Sequence, residues 1–291
     1  MIDQHHAEAE RTGAKIVPSC GFDSIPADMG AFMMVEHMKR SYGVAPTNVG
    51  YYVKGGEGGV SGGTIASLLD VVDQIWKGGS AVRKKMVDPL LLAPASSPEI
   101  VASGPGGFGY DSTAKAWTAP SPFASHDSKV VYRSACMLEY GKVFRYKEVL
   151  GFKGLIKGLL PALLSSVALS LGMLAMLLPP TRKLLAKRLP APGEGPSKQE
   201  RDTGYFWIDY MAKGKSGDKE VICKGVVGSD KGDAGYKETA KMLGECGLCL
   251  ALDEDKVAST KGGVLTTAVA MGAPLLERMN AAGMTFKIVD E

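Results

Sequence analysis

Residues 20–24, Cys-Gly-Phe-Asp-Ser, put a thiol, a carboxylate and a hydroxyl within five positions. They follow the apolar run Lys15-Ile16-Val17-Pro18-Ser19 and precede a helix that opens at Pro26. Ligands of parallel α/β sheets bind where strands end and helices begin. Asp23 and Ser24 can there hydrogen-bond a nicotinamide or a substrate carbonyl, and either can equally cap the helix. A second candidate, Ser61-Gly62-Gly63-Thr64, also opens a helix. Its bare backbone N–H groups and two hydroxyls suit an anion or a carbonyl oxygen, or a plain helix cap. Arg133 can hold a substrate carboxylate or a thioester-linked group. It can equally pair with Asp127 or Glu139.

Other patterns lack the context that their chemistry requires. Gly104-Pro-Gly-Gly-Phe-Gly109 has dinucleotide spacing, but Ser- and Pro-rich residues precede it and Tyr110-Asp111 follow. A phosphate cradle needs a strand before and a helix after. Gly214-Lys215-Ser216 ends like a P-loop but sits in a hairpin turn. Cys246 and Cys249 have metal or redox spacing without a second pair, whereas a structural zinc wants four ligands. No metal is expected, and the two thiols read as small core residues.

The elements that must position these residues follow from periodicity and turn chemistry. Residues 3–13 suit a helix stopped by Gly13, and Lys15–Cys20 a short strand. Met29, Phe32, Met33 and His37 mark a helix over Ala27–Arg40. Asn48–Lys54 reads as a strand, and Ile65, Leu68, Leu69, Val72 and Trp76 as an amphipathic helix. Pro89–Ser125 reads as mostly loop, with room for a short strand. Lys129–Ser134 and Val143–Val149 read as strands joined through Tyr140-Gly141, and Tyr205–Lys213 and Lys219–Gly228 form a hairpin around Gly214–Asp218. Tyr236–Leu252 and Leu265–Ala282 are helices, and Thr285–Val289 a closing strand.

The 291 residues allow one large domain or two modest ones. A net charge of +3 gives no reason to expect a nucleic-acid partner. Five cysteines, an odd number, point to a reducing intracellular compartment rather than a disulfide framework. Residues 1–11 lack the apolar segment of a signal peptide. Leu159–Leu178 is twenty residues without a charge, nine of them leucine, long enough for a spanning helix. Lys153 and Lys157 precede it, and Arg182, Lys183, Lys187 and Arg188 follow. Pro161, Gly172 and three serines weaken a simple span. The segment reads as a helix lying in one leaflet, as a true span, or as a buried core or oligomer-interface helix. Pro190-Ala191-Pro192-Gly193 closes it as a stiff loop.

Cys20–Gly30, Ser61–Thr64, and Asp127 with Val130, Arg133 and Ser134 resemble the saccharopine dehydrogenase-like oxidoreductases, in particular their trans-acting enoyl reductase branch. Gly195–Ser197 with Arg201 and Gly204, Gly235-Tyr236 with Thr239-Ala240, and Gly262–Thr266 continue the resemblance in order. It implies NAD(P)-dependent redox chemistry on a lipid-like enoyl substrate. It implies Cys20, Gly21 and Phe22 against the cofactor, Asp23 and Ser24 as catalytic, and Ser61, Gly62, Gly63, Thr64 and Arg133 against substrate. The family's N-terminal glycine-rich βαβ unit has no counterpart here, so the chain reads as one that begins partway through a nucleotide-binding domain.

The expected fold is α/β, the C-terminal remnant of a Rossmann-type domain plus an α+β domain with a mixed, largely antiparallel sheet and an apolar helical insert. Residues 1–40 would be the remnant, 41–150 and 200–262 the second domain, 151–199 the insert, and 263–291 a segment returning to the first domain. Expected partners are a membrane or lipid-droplet surface through residues 153–188, a lipid-like substrate, and a second copy of the chain. The competing reading is a non-enzymatic lipid-surface protein that has lost cofactor binding.

Overall fold

The computed structural model describes every residue except 60, 95–99, 105, 187–188, 192, 258–260 and 290–291. Pro105 of the glycine-rich loop, Lys187 and Arg188 of the basic flank, and Pro192 lie outside the described residues.

Helix α1 (Ile2–Thr12) stops at Gly13, whose φ of 78° suits a left-handed helix cap. Strand β1 is only Lys15–Ile16, shorter than expected. Pro18 has no N–H to give a ladder, and Ser19 turns the chain at φ 59°. Helix α2 (Ile25–Tyr42) takes Pro26 in its first turn and ends at Gly43. Strand β2 (Asn48–Glu57) leads to α3 (Gly62–Lys77) and α4 (Gly79–Val87). The region expected to be mostly loop with a short strand contains two, β3 (Gly109–Asp111) and β4 (Ala116–Pro120).

The strand expected over Lys129–Ser134 is instead the middle of helix α5 (Ala124–Met137). Ten of its fourteen residues are buried. A helix enclosed nearly all round loses the one-sided apolar stripe that would betray it, and Val130, Val131 and Tyr132 then imitate a strand. Next come β5 (Arg145–Lys153), α6 (Leu159–Leu177), α7 (Pro179–Ala186) and α8 (Lys198–Thr203). The expected hairpin is present as β6 (Tyr205–Ser216) and β7 (Lys219–Ser229), turning at Gly217 with φ 59°. A π-turn over Ala234–Glu238 runs into α9 (Thr239–Leu252), followed by α10 (Glu254–Val257), β8 (Gly263–Val264), α11 (Thr267–Ala281) and β9 (Thr285–Ile288).

Seven strands form one sheet in the order β3-β4-β5-β2-β6-β7-β9. Only β2 and β5 run parallel, so the sheet is mixed and largely antiparallel as expected. A separate two-stranded sheet pairs β1 with β8 in parallel, Lys15 opposite Gly263 and Ile16 opposite Val264. Among the described residues this pair is the whole contribution of residues 1–40 to parallel sheet. The C-terminal segment joins both sheets, through β8 and through β9 beside β7.

One face of the large sheet is packed. Val49, Tyr51, Tyr146, Ile208, Tyr210 and Val227 belong to the core that α2, α5, α9 and α11 close. Helix α2 crosses the sheet so closely that a Cβ on Gly30 would lie 2.4 Å from the Tyr210 ring. The Tyr210 hydroxyl donates to the Pro26 carbonyl at 2.6 Å. The apolar insert is different. Of α6 only Ala162 is buried, while Leu160, Leu164, Leu171 and Leu174 stand more than half exposed. Its far end is tied to α3, where Trp76 Nε1 donates to the Leu177 carbonyl at 3.0 Å and Arg182 pairs with Asp73.

Candidate functional site

The Cys20–Ser24 turn sits between β1 and α2, on the packed side of the large sheet. The Phe22 ring meets Phe206 at 5.0 Å and Phe123 at 6.5 Å, both edge-on. Its backbone N–H donates to Thr239 Oγ1 at 3.1 Å. Gly21 is needed there, because a Cβ would lie 2.9 Å from the Thr239 methyl. The turn is therefore fixed by β6 and by the start of α9, which are distant in sequence. Asp23 is exposed at its tip.

Ser24 occupies the N-cap of α2 without capping it through its side chain. The fully buried hydroxyl instead donates to Asp127 Oδ1 at 3.3 Å. Asp127 lies in the first turn of α5 and Glu148 on the inward register of β5; both are buried, and each shifts the pKa of the other. Two neighbouring buried carboxyl groups resist double ionisation, so one of them keeps its proton. Burial pushes Asp127 well above the usual carboxylate range, and the neighbouring Glu148 charge pushes it further. Burial raises Glu148 too, opposed by donors from Ser121 at 2.6 Å and Tyr146 at 3.1 Å. The proton belongs on Asp127, with Glu148 as the charged partner that three donors satisfy. Nearby, the surrounding protein lowers the His126 imidazole, and the Asp23 charge opposes that.

Cys20 is half-buried, and its thiol lies 3.2 Å from the Val17 carbonyl. A hydrogen bond from the Cys246 thiol lowers the Cys20 pKa and raises that of Cys246. A second buried carboxylate, Asp28, accepts from Ser134 Oγ at 2.5 Å, Thr267 Oγ1 at 2.7 Å and the Ala268 N–H at 2.8 Å. Burial nevertheless raises its pKa. Thr266 Oγ1 stands 2.6 Å from Ser134 Oγ, so α2, α5 and the start of α11 share one hydroxyl chain.

The other expected site residues are placed differently. Ser61 caps α3, accepting from the Thr64 N–H at 2.9 Å, with the two hydroxyls also 2.9 Å apart. Gly62 N–H donates to the Glu194 carbonyl at 3.0 Å, while Gly63 and Thr64 are exposed. Arg133 lies on α5 rather than on a strand and pairs with neither Asp127 nor Glu139 in the ion pairs described. Its guanidinium donates to the Leu92 and Val264 carbonyls, each at 2.6 Å, and leaves Nε without a partner. That geometry pins the 88–93 segment and β8 to α5. Asp233 connects the two turns: it accepts from the Tyr236 and Lys237 N–H groups and touches Gly58 and Gly204, while Thr239 of the same turn holds Phe22.

Neither helix start can cradle a cofactor phosphate. At α2 the Ser24 and Ile25 N–H groups both donate to the Gly21 carbonyl, and Pro26 has none. At α3 the Gly62 and Thr64 donors are taken, as described. Asp23 would also repel a phosphate. The Cys20–Ser24 turn thus offers no cradle for a pyrophosphate. Glu148 went unrecognised from sequence. Its signal was the period of two through Tyr146, Glu148 and Leu150, which puts a carboxylate on the core face.

No family model matches the chain. A Mycobacterium tuberculosis protein that bears the name trans-acting enoyl reductase provisionally is 36% identical over 304 residues, spanning 98% of this chain and 70% of that protein. A trans-acting enoyl reductase of Mycobacterium bovis is 31% identical across 97% of this chain and 69% of its own length. The one from Mycobacterium leprae is 30% identical across the same shares.

Proposed function

The chain belongs to the trans-acting enoyl reductase family, and from that premise we propose that it is an oxidoreductase reducing a lipid-like enoyl substrate with NAD(P), as a saccharopine dehydrogenase-like protein. The observation that carries this reading is the Phe22–Ser24 turn seated on the proton-sharing Asp127–Glu148 pair. Reduction of an enoyl double bond adds a hydride, which the nicotinamide supplies, and a proton. The residues here bear on the proton. Asp127 holds one in the core, the Ser24 hydroxyl links it to the turn, and Asp23 is the exposed acid beside that link. Phe22, Phe123 and Phe206 keep water from the inner side of the turn.

The test uses the whole chain. NADPH and NADH are titrated against intrinsic fluorescence, and consumption of the reduced nicotinamide is then followed with a long-chain enoyl thioester. Binding and turnover that fall together in Asp23→Asn and Ser24→Ala are expected. No binding and no turnover would overturn the reading and favour a non-enzymatic lipid-surface protein.

A second reading concerns location and is favoured by the exposure of α6. We infer that residues 153–188 seat the protein on a membrane or lipid-droplet surface. The leucines of α6 enter the acyl region, and Lys153, Lys157 and Arg182 meet anionic headgroups. Flotation with anionic vesicles is expected for the full chain and not for a variant carrying charged residues at Leu160, Leu164 and Leu171. A concentration-dependent dimer that ignores vesicles would make the same face an interface between copies.

A further inference from the structure

The core helices α2, α5, α9 and α11 all lie on one face of the seven-stranded sheet. The other face carries two adjoining concavities, of about 450 Å³ and about 420 Å³. Both lie within the range of about 300–1,000 Å³ usual for small-molecule sites. Tyr52, Thr113 and Met211 line both, so they form one trough with a ridge across its middle.

The ridge is firmly built. The Tyr52 hydroxyl donates to Asp111 Oδ2 at 2.7 Å, and Lys147 Nζ lies 3.0 Å from the same oxygen. Asp111 Oδ1 accepts from the Thr113 and Ala114 N–H groups, which fixes the turn that walls the trough. These partners hold the Asp111 carboxyl down at about 2 despite its partial burial. The Tyr52 ring lies over Gly50, where a Cβ would come within 2.6 Å of it. Gly106 closes the far wall, with room for no Cβ against Val149 and Lys147.

Charge is what distinguishes this face. One lobe is lined by Lys54, Lys115, Lys153 and Lys224, the other by Arg145, Lys147 and Lys213. Asp209 and Asp111 are the only carboxylates among the lining residues. Seven cations against two acids leave a lining rich in positive charge, of which Lys213 is partly met by Glu220 at 3.7 Å. Each acid is already engaged, Asp209 by Lys153 at 2.8 Å and Asp111 by Lys147. A second copy would bring like charge against like charge on this face, which disfavours self-association through it.

We propose that this trough binds a phosphorylated small molecule of nucleotide size, with one anionic group in each lobe and its body across the Tyr52 ridge. The proposal is independent of the Cys20–Ser24 turn, which lies on the opposite face of the sheet. Lysine and arginine clusters recognise phosphate through charge-assisted hydrogen bonds. The apolar floor of Met211, Val226 and Val289 accommodates the uncharged part.

Calorimetric titration of the full chain with inorganic pyrophosphate and with ADP tests it, at low and at raised salt. Lys115 and Arg145 are both exposed and stand in different lobes, so Lys115→Glu and Arg145→Glu should leave folding intact, as melting curves would show. ADP affinity should fall about tenfold or more in each variant and further in the pair, and should weaken with salt. Arg145→Lys should retain most of it. Absence of binding by both probes, or ADP binding that the reversals leave unchanged, would overturn the proposal. A change of elution volume on charge reversal, without anion binding, would instead make the face an interface and overturn it equally.

Discussion

Replacing Asp127 by Asn separates a shared proton from ordinary packing. Folding raises both carboxyls of the Asp127–Glu148 pair above unfolded values of about 3.9 and 4.3. The folded chain therefore keeps a proton that the unfolded chain has released. The stability linked to it is fully present below about pH 4 and falls as pH rises through the folded pKa. One retained proton makes that fall about 1.4 kcal/mol per pH unit. In Asp127→Asn the amide keeps an oxygen for the Ser24 hydroxyl and offers an N–H to Glu148, with nothing to ionise. Chemical denaturation as pH rises from about 4.5 should show the wild-type curve descending relative to that of the Asp127→Asn variant by about that slope for as long as the folded chain keeps the proton. Asp28 is also raised by burial, but it is common to both proteins and cancels in the difference. Asp127→Ala removes the acceptor of Ser24 and the donor to Glu148, and should cost about 2–4 kcal/mol at every pH in the range. Parallel curves for wild type and Asp127→Asn would refute the shared proton. An Asp127→Asn protein as unstable as Asp127→Ala would refute the claim that hydrogen-bond geometry, not charge, holds Ser24.

Gly30→Ala drives a methyl into the Tyr210 ring at 2.4 Å and should lower stability by about 1–3 kcal/mol; an unchanged melting temperature would mean that α2 does not sit where it is placed. Tyr52→Phe removes the hydroxyl that helps hold Asp111 at about 2, so carboxyl NMR should show Asp111 titrating higher. Because a depressed acid contributes stability above its unfolded pKa that is lost as pH falls, the same variant should be less sensitive to acid between about pH 4 and pH 2. Arg133→Met deprives the Leu92 and Val264 carbonyls of their donors and should cost about 2–4 kcal/mol, seen as faster hydrogen exchange at β8. A stable Arg133→Met protein with weakened substrate binding would restore Arg133 to the substrate.

The elements that sequence reasoning found are those with strict alternation or with their own start and stop residues. The β6–β7 hairpin alternates strictly, with Phe206, Ile208, Tyr210 and Ala212 inward, and α2 carries its own stops in Pro26 and Gly43. Helix α5 was hidden because burial on nearly all sides erased its period. Within the region expected to hold one short strand, β3 and β4 were not placed, because Gly109–Asp111 and Ala116–Pro120 are short and lie among turn residues. The same limit applies to the site. Cys20–Ser24 was visible as a local turn, but its partners Asp127, Glu148 and Thr239 are between about a hundred and about two hundred residues away, and no local pattern announces a contact at that range.

Several of the stretches that carried the family resemblance hold a junction between elements. Asp28 from the first stretch meets Ser134 from the third, and Ser134 meets Thr266 from the last. Thr239 anchors Phe22, Asp233 packs on Gly58 and Gly204, and Tyr236 meets Gly195. Short, individually uninformative motifs are what such junctions require, because a buried hydrogen bond between elements fixes one or two residues on each and leaves their neighbours free to vary. A resemblance spread thinly along the chain, always at hydroxyls, acids and glycines, is therefore a signature of packing between elements. The Cys20–Ser24 turn inherits its geometry from that packing: Ser24 turns away from the helix cap towards Asp127 held beneath it, and Asp127 stays protonated there because it is buried, with Glu148 of β5 brought to the same point.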